Sequence, residues 1–178
     1  RTIVQSLQNT TVRGLTIWYD FIDDYVREAV AIACGNIGDK AWTRDILERL
    51  QNDPKSFVRR AVAEACENIG DKVWTRDILE RLQNDRNNDV RIAVAVAFSN
   101  IGENDLTRAI LESLIDDTCS FVRRAIAEAC GNIGDNDLAR TIVQSLQNTT
   151  VRGLTIWYDF IDDYVREAVA IACGNIGD

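Results

Sequence analysis

The sequence predicts an all-α solenoid, a stack of antiparallel helix pairs, and three observations carry that prediction. The pattern Asn-Ile-Gly-Asp/Glu begins at Asn36, Asn68, Asn100, Asn132 and Asn175, with the first four evenly spaced and the last step longer. A fixed period within the roughly 20 to 45 residues of helical repeat units marks a stacked array, because so short a unit cannot bury its own apolar face without a neighbour. Before each Gly the apolar residues keep helical spacing: Val58, Ala61, Val62, Ala65 and Cys66 follow i, i+3, i+4, i+7 and i+8, one stripe along a helix. After it a second stripe, Trp74, Ile78, Leu79 and Leu82, does the same for a shorter helix.

The helix boundaries are written in residue chemistry. Asp24, Ser56, Asn88, Ser120 and Asp163 stand where a side-chain oxygen can cap the orphan amides of a first helix. Gly38, Gly70, Gly102, Gly134 and Gly177 end those helices by taking a left-handed conformation, and Asp71 is placed to cap the second helix.

Taken in order, the chain reads as a single array, 1–178: a half repeat at 1–9, an insert at 10–22, repeats at 23–54, 55–86, 87–118 and 119–148, the insert again at 149–161, and a half repeat at 162–178. Segments 1–39 and 140–178 are identical letter for letter, which implies recent tandem duplication or deliberate concatenation. Segments 39–53 and 71–85 differ only at Ala41 against Val73. In the insert, Val12, Leu15, Trp18, Tyr19 and Ile22 share one helical face and Thr11 can cap it, so a short extra helix is expected that ends before Asp23 and Asp24. A strand over Thr16 to Ile22 is the alternative, since that run is rich in aromatic and branched residues. Its aromatic residues, Trp18, Tyr19 and Phe21 with the copies Trp157, Tyr158 and Phe160, are either an exposed anchor for a partner or the filling of a wedge in the stack.

The motif Val-Arg-x-Ala, then Ala-[Cys/Phe]-x-Asn-Ile-Gly-[Asp/Glu], then an apolar helix closing on Leu resembles the HEAT-like repeats of the phycobilisome-lyase type and the artificial alpha-repeat proteins built from their consensus. The resemblance implies a HEAT-like helical-repeat solenoid, a right-handed superhelix whose second helices line the concave surface. It says little about function, because such repeats serve as scaffolds, inhibitors, lyase subunits and enzyme domains. One position departs from the pattern: where Leu is expected stand Cys34, Cys66, Cys130 and Cys173, or Phe98.

Those four cysteines share one inward position in different repeats. Stacked helices lie roughly 8 to 10 Å apart, too far for a disulfide or a shared zinc, so they read as small buried hydrophobes, with Cys119 in a loop as the accessible thiol.

Two arginine ladders follow the period. Arg27, Arg59, Arg91, Arg123 and Arg166 succeed the helix-opening Val and are expected to pair with acidic or carbonyl groups of a neighbouring turn. Arg44, Arg76, Arg108 and Arg140 lie on second helices, followed one turn later by Glu48, Glu80, Glu112 and Gln144. By the resemblance this second row faces a ligand on the concave side; a solvated row of i, i+4 ion pairs is the plain alternative. On the outer side of the first helices Arg60 and Glu64, or Arg124 and Glu128, suit water, whereas Ile32, Ile92, Val96 and Ile171 read as a covered patch.

Composition narrows the function. There are 28 acidic against 20 basic side chains, a net charge of −8, which opposes nucleic acid and anionic membrane as partners. No apolar run approaches the roughly 18 residues of a membrane span and no signal peptide is visible. A cytoplasmic, reducing setting is therefore expected, and the absence of Met points to a segment of a longer chain. The sequence has no His, no Gly-rich phosphate loop and no Cys-x-x-Cys pair, so it reads as a non-enzyme without cofactor or metal; a bilin-lyase subunit is implied only by the resemblance. What is left is a scaffold that binds a protein partner, with a self-assembling array as the alternative. In that array segment 1–9, a second helix without its first, and Tyr164 to Asn175, a first helix without its second, join chains head to tail.

Overall fold

Each apolar stripe becomes the buried side of a helix. The computed structural model describes residues 18–102 and 105–133, together with positions 137, 140, 141, 167, 168, 170 and 171; side chains are described from Asp23 to Gly131 within that range. Among the described residues there are seven α-helices and no strand: α1 (Trp18–Ile37), α2 (Ala41–Leu50), α3 (Ser56–Ile69), α4 (Val73–Leu82), α5 (Asn88–Ile101), α6 (Asp105–Leu114) and α7 (Ser120–Ile133). The fold is an all-α helical-repeat solenoid. The chain divides into two compact units, Arg1–Leu82 and Gln83–Asp178.

In the first unit α1 packs on α3, and each of these first helices also leans on its own second helix, α2 or α4. The wall of α3 is the predicted stripe, with Val58, Ala61, Val62, Ala65 and Cys66 all buried; Ile78, Leu79 and Leu82 of α4 close over it. Small residues let the first helices approach closely. A Cβ added at Gly35 would stand 2.8 Å from the Ala65 Cα, inside any real contact. In the second unit α5 packs on α7 and both touch α6, with Val90, Val94, Phe98, Leu111, Val122, Ile126 and Cys130 fully buried. Phe98 thus fills the position that Cys34, Cys66 and Cys130 occupy elsewhere, as expected of a hydrophobic site. Cys173 lies outside the described residues.

Glycines end the first helices, in a conformation other than the expected one. Gly70 has φ 85° and ψ −166°, and Gly102 φ 102° and ψ 175°, so both lie in the extended positive-φ region that is essentially confined to glycine rather than in the left-handed helical region. The next helix is then started by a threonine, not by Asp71. Thr75 Oγ1 accepts from the Lys72 amide at 3.0 Å and donates toward the Gly70 carbonyl at 2.9 Å; Thr43 does the same with Lys40 and Gly38. Asp71 instead holds Arg76.

The caps of the first helices also shift by one residue. Lys55 and Asn87 are the extended cap residues, so Ser56 and Asn88 are already helical, and Asn87 itself accepts from the Asp89 amide at 2.9 Å. Ser120 likewise lies inside α7. The preceding turns are tied by Asp53, Asp85 and Asp117, whose carboxylates accept the amides of Lys55, Asn87 and Cys119 at 2.9, 2.9 and 2.8 Å.

The separate insert helix is the larger correction. From Trp18 the chain is one continuous helix to Ile37, running through Asp23 and Asp24 without a break, and the strand alternative fails with it. Asp24 caps nothing: its carboxylate faces Arg27 Nη2 at 2.6 Å and Lys55 Nζ at 2.9 Å, so it does not turn back on the backbone. The remainder of the insert, its second copy, the half repeat at 1–9, the cap position Asp163 and, apart from positions 167, 168, 170 and 171, the half repeat at 162–178 lie outside the described residues. On the outer face Ile32, Val96 and Ile171 are exposed and Ile92 is half-buried, so no described element covers the patch read as covered. Arg60 with Glu64 and Arg124 with Glu128 form the expected solvent-facing pairs.

Candidate functional site

The two arginine ladders separate into a structural row and a surface row. In the first, Arg59 Nη1, Arg91 Nη1 and Arg123 Nη1 each donate to a carbonyl of the preceding turn, that of Asp53, Asp85 or Asp117, at 2.6 to 2.7 Å. Arg27 and Arg91 reach on to the carboxylate in the turn that closes their own repeat, Asp53 and Asp117 respectively, at 2.6 Å through Nε. Arg91 therefore ties the turn before its repeat to the turn that closes it, and each arginine of the row meets an acidic or carbonyl group of a neighbouring turn, as expected. The partner aspartates, and the threonines Thr43, Thr75 and Thr107, were legible as ladders of their own. Each recurs with the period of the glycines, a signal that the apolar stripes overshadow.

Burial would by itself raise the carboxyls of Asp24 and Asp117, but both are held below the usual carboxylate range, Asp24 by Lys55 and Arg27, Asp117 by Arg91 and the Cys119 amide. The Cys34 and Cys66 thiols are pushed up to about 11 and about 12 by burial, which makes them poor nucleophiles. Cys119 is half-buried in the turn before α7. Among the described residues no group of three or more His, Cys, Asp or Glu side chains could hold a metal ion.

The second row lies on α2, α4 and α6. Arg44 Nε pairs with Glu48 at 2.8 Å and Arg108 Nε with Glu112 at 3.0 Å, both at the helix surface. Arg76 breaks the pattern: its Nε stands 2.9 Å from Asp71 rather than beside Glu80. The reason is local, since Asp71 lies in the turn just before α4, within direct reach of the guanidinium. Arg140 is exposed, 3.7 Å from Asp137, and Gln144 lies outside the described residues. Of the aromatic insert residues, Trp18, Tyr19 and Phe21 open α1, while Trp157, Tyr158 and Phe160 lie outside the described residues.

Between α2 and α4 opens a groove of about 540 Å³, lined by Asp39, Ala41, Arg44, Asp45, Glu48, Lys72, Val73 and Trp74. In this unit the extensive helix–helix packing is between the first helices α1 and α3, and the groove opens beside the second helices. The Trp74 ring is buried at its base with Nε1 donating to Asp39 at 3.3 Å, and Val73 stands 70% exposed at its rim. Three carboxylates against two cations line it. Glu48, with Asp45 and Asp77 adding to its effect, raises the Arg44 pKa above its ordinary value, the sign of a negative local field. Chemically the groove offers carboxylates, an apolar rim and an indole edge: a surface for holding a side chain, with no nucleophile and base brought together.

The family model for HEAT repeats matches residues 22–97 and again 75–158, more than half of the chain. The chain belongs to the HEAT-repeat family. Its HEAT repeats also match solved structures. A designed armadillo repeat protein, in complex with the peptide (KR)4, is 16% identical over 98% of this chain and 80% of its own, with a TM-score of 0.57. A crystal structure of an engineered protein is 18% identical over 99% of this chain and 79% of its own, with a TM-score of 0.53. Human deoxyhypusine hydroxylase, in complex with glycerol, is 16% identical over 97% of this chain and 72% of its own, with a TM-score of 0.47. At these identities the likeness to the first two is one of fold. Comparison with curated proteins returns no match. No helix among the described residues is long and apolar enough to cross a membrane.

Proposed function

We propose that these HEAT repeats form a non-enzymatic protein-binding scaffold that holds an extended, basic segment of a partner along the second helices. Its binding face in the first unit is the row of Arg44, Glu48, Arg76 and Glu80, and in the second unit the row of Arg108, Glu112, Arg140 and Gln144. The observation that carries this reading is the groove between α2 and α4. Its carboxylates Asp39, Asp45 and Glu48 outnumber its cations, and the Trp74 edge at its base with Val73 at its rim gives apolar surface against which the stem of an Arg or Lys can lie. The designed armadillo repeat protein of similar fold holds the peptide (KR)4, an instance of a basic peptide on stacked helices. Buried, free thiols suit a reducing intracellular setting for such a scaffold.

Fluorescence anisotropy with Lys/Arg-rich and Asp/Glu-rich octapeptides tests the proposal. The basic peptide binds and the acidic one does not, and the double variant Asp45→Lys, Glu48→Lys loses about tenfold or more in affinity with unchanged helicity. Binding that survives this variant and disappears in Trp157→Ala moves the site to the aromatic insert. A second reading, a self-associating array, is favoured by one observation, the identity of segments 1–39 and 140–178.

A further inference from the structure

We infer that segment 140–178 of one chain can dock on segment 39–69 of a second copy in place of that copy's own segment 1–39, so that chains join by exchanging an identical element. The inference rests on the self-association reading and specifies how it occurs. Its basis is that the docking element is present twice in the chain, while the structure shows how its α1 part is received.

The receiving surface is the face of α3 and the turn before it. Four contacts define it. Arg27 grips Asp53 through Nε at 2.6 Å and Nη2 at 3.2 Å; Asp24 meets Lys55 Nζ at 2.9 Å; Tyr25 stacks on Phe57 at 5.4 Å between ring centroids; and Gly35 lies directly on Ala65. The donating residues recur in the second copy of the segment as Arg166, Asp163, Tyr164 and Gly174. A surface that accepts the first set accepts the second equally well, contact for contact, because the two segments are identical from end to end.

Only tethering distinguishes them. The resident segment is joined to its site through Gly38 and Asp39, so its effective concentration is high, on the order of millimolar or more, and it wins in dilute solution. Raising the protein concentration or weakening the resident segment shifts the balance to exchange, a low-cost route to association because it creates no new interface. The contacts are heterologous, so the products are rings or open chains that repeat the same joint.

The test uses the full chain in sedimentation velocity over a concentration series, with circular dichroism to confirm folding. Arg27→Asp weakens only the resident pair and is expected to strengthen association about tenfold, whereas Arg166→Asp weakens only the exchanged pair and is expected to abolish it. Asp53→Arg combined with Arg166→Asp restores the exchanged pair with reversed charge and repels Arg27, so association returns. As a readout free of any change at Arg27 or Asp53, the pair Arg60→Cys and Glu167→Cys in a Cys119→Ser background is treated with a bismaleimide: the ends of Arg60 and Glu28, the counterpart of Glu167, meet at 3.6 Å, so the two shorter thiols stand a linker's length apart and exchange yields a covalent dimer that neither single variant forms. Association that is indifferent to all three charge variants, with no cross-link, overturns the exchange and leaves self-association by another surface. A chain that stays monomeric throughout, Arg27→Asp included, overturns both, while peptide binding independently tests the scaffold.

Discussion

Arg91 binds Asp117 with two parallel hydrogen bonds, Nε to Oδ2 at 2.6 Å and Nη2 to Oδ1 at 2.8 Å, while its Nη1 donates to the Asp85 carbonyl at 2.7 Å. One guanidinium therefore ties together the corresponding turns of successive repeats, and both side chains of the pair are largely buried. Removing the cation leaves the Asp117 carboxylate desolvated without its main partner. Arg91→Leu is expected to cost about 3 kcal/mol in urea unfolding. Arg91→Lys recovers only part of that, because an ammonium cannot reproduce the bidentate fork.

The core predicts a gradient of costs. Leu79 is fully buried, and Leu79→Ala is expected to cost about 2 to 5 kcal/mol, whereas Cys66→Ala, which removes a single sulfur from the same core, is mild. Gly35→Ala destabilises by about 1 to 3 kcal/mol although it adds one methyl group, because the new Cβ meets backbone at Ala65 rather than a side chain that can turn away. Thermal unfolding of the three variants orders them.

Thiol labelling of the native protein distinguishes the turn cysteine from the core. Cys119 is expected to react well before Cys34, Cys66 and Cys130, which are fully buried and, for the first two, shifted toward the unreactive thiol. Mass spectrometry of partially labelled protein reads the order, and uniform rapid labelling contradicts the buried ladder.

Acid stability follows from the depressed carboxyls of Asp24 and Asp117. Their folded-state values lie below the ordinary 3.8, so their stabilising contribution is complete above that value and is lost as pH falls through the folded values. Urea midpoints measured from neutral pH down into the acid range should fall for the native chain and fall less for Asp117→Asn. At the alkaline end the sign reverses. The Cys34 thiol, pushed up to about 11 from 9.0, favours the unfolded chain as pH rises above 9.0, so Cys34→Ala flattens the loss there.

The sequence by itself determined whatever depends on period and local geometry. The even step from Asn36 through Asn132 and the stripes of Val58 to Cys66 and Trp74 to Leu82 specify paired helices and their buried faces, since spacing along a helix decides which residues share a side. The burial of Cys34, Cys66 and Cys130 and the clamping role of Arg27, Arg91 and Arg123 were equally legible, because repetition shows the same demand met several times.

Only the tertiary structure decided the rest. Asp24 continues α1 instead of starting a helix because its partner Lys55 comes from the next repeat, a contact that no local rule contains. Arg76 chooses Asp71 over Glu80, and Ile32 and Val96 stay exposed, because side-chain direction and the presence of a covering element are set in space. The groove beside Trp74 belongs to the same class: α2 and α4 are nearly identical in sequence, and what lies between them depends on how the helix pairs stack, with α1 packed closely on α3 where Gly35 meets Ala65.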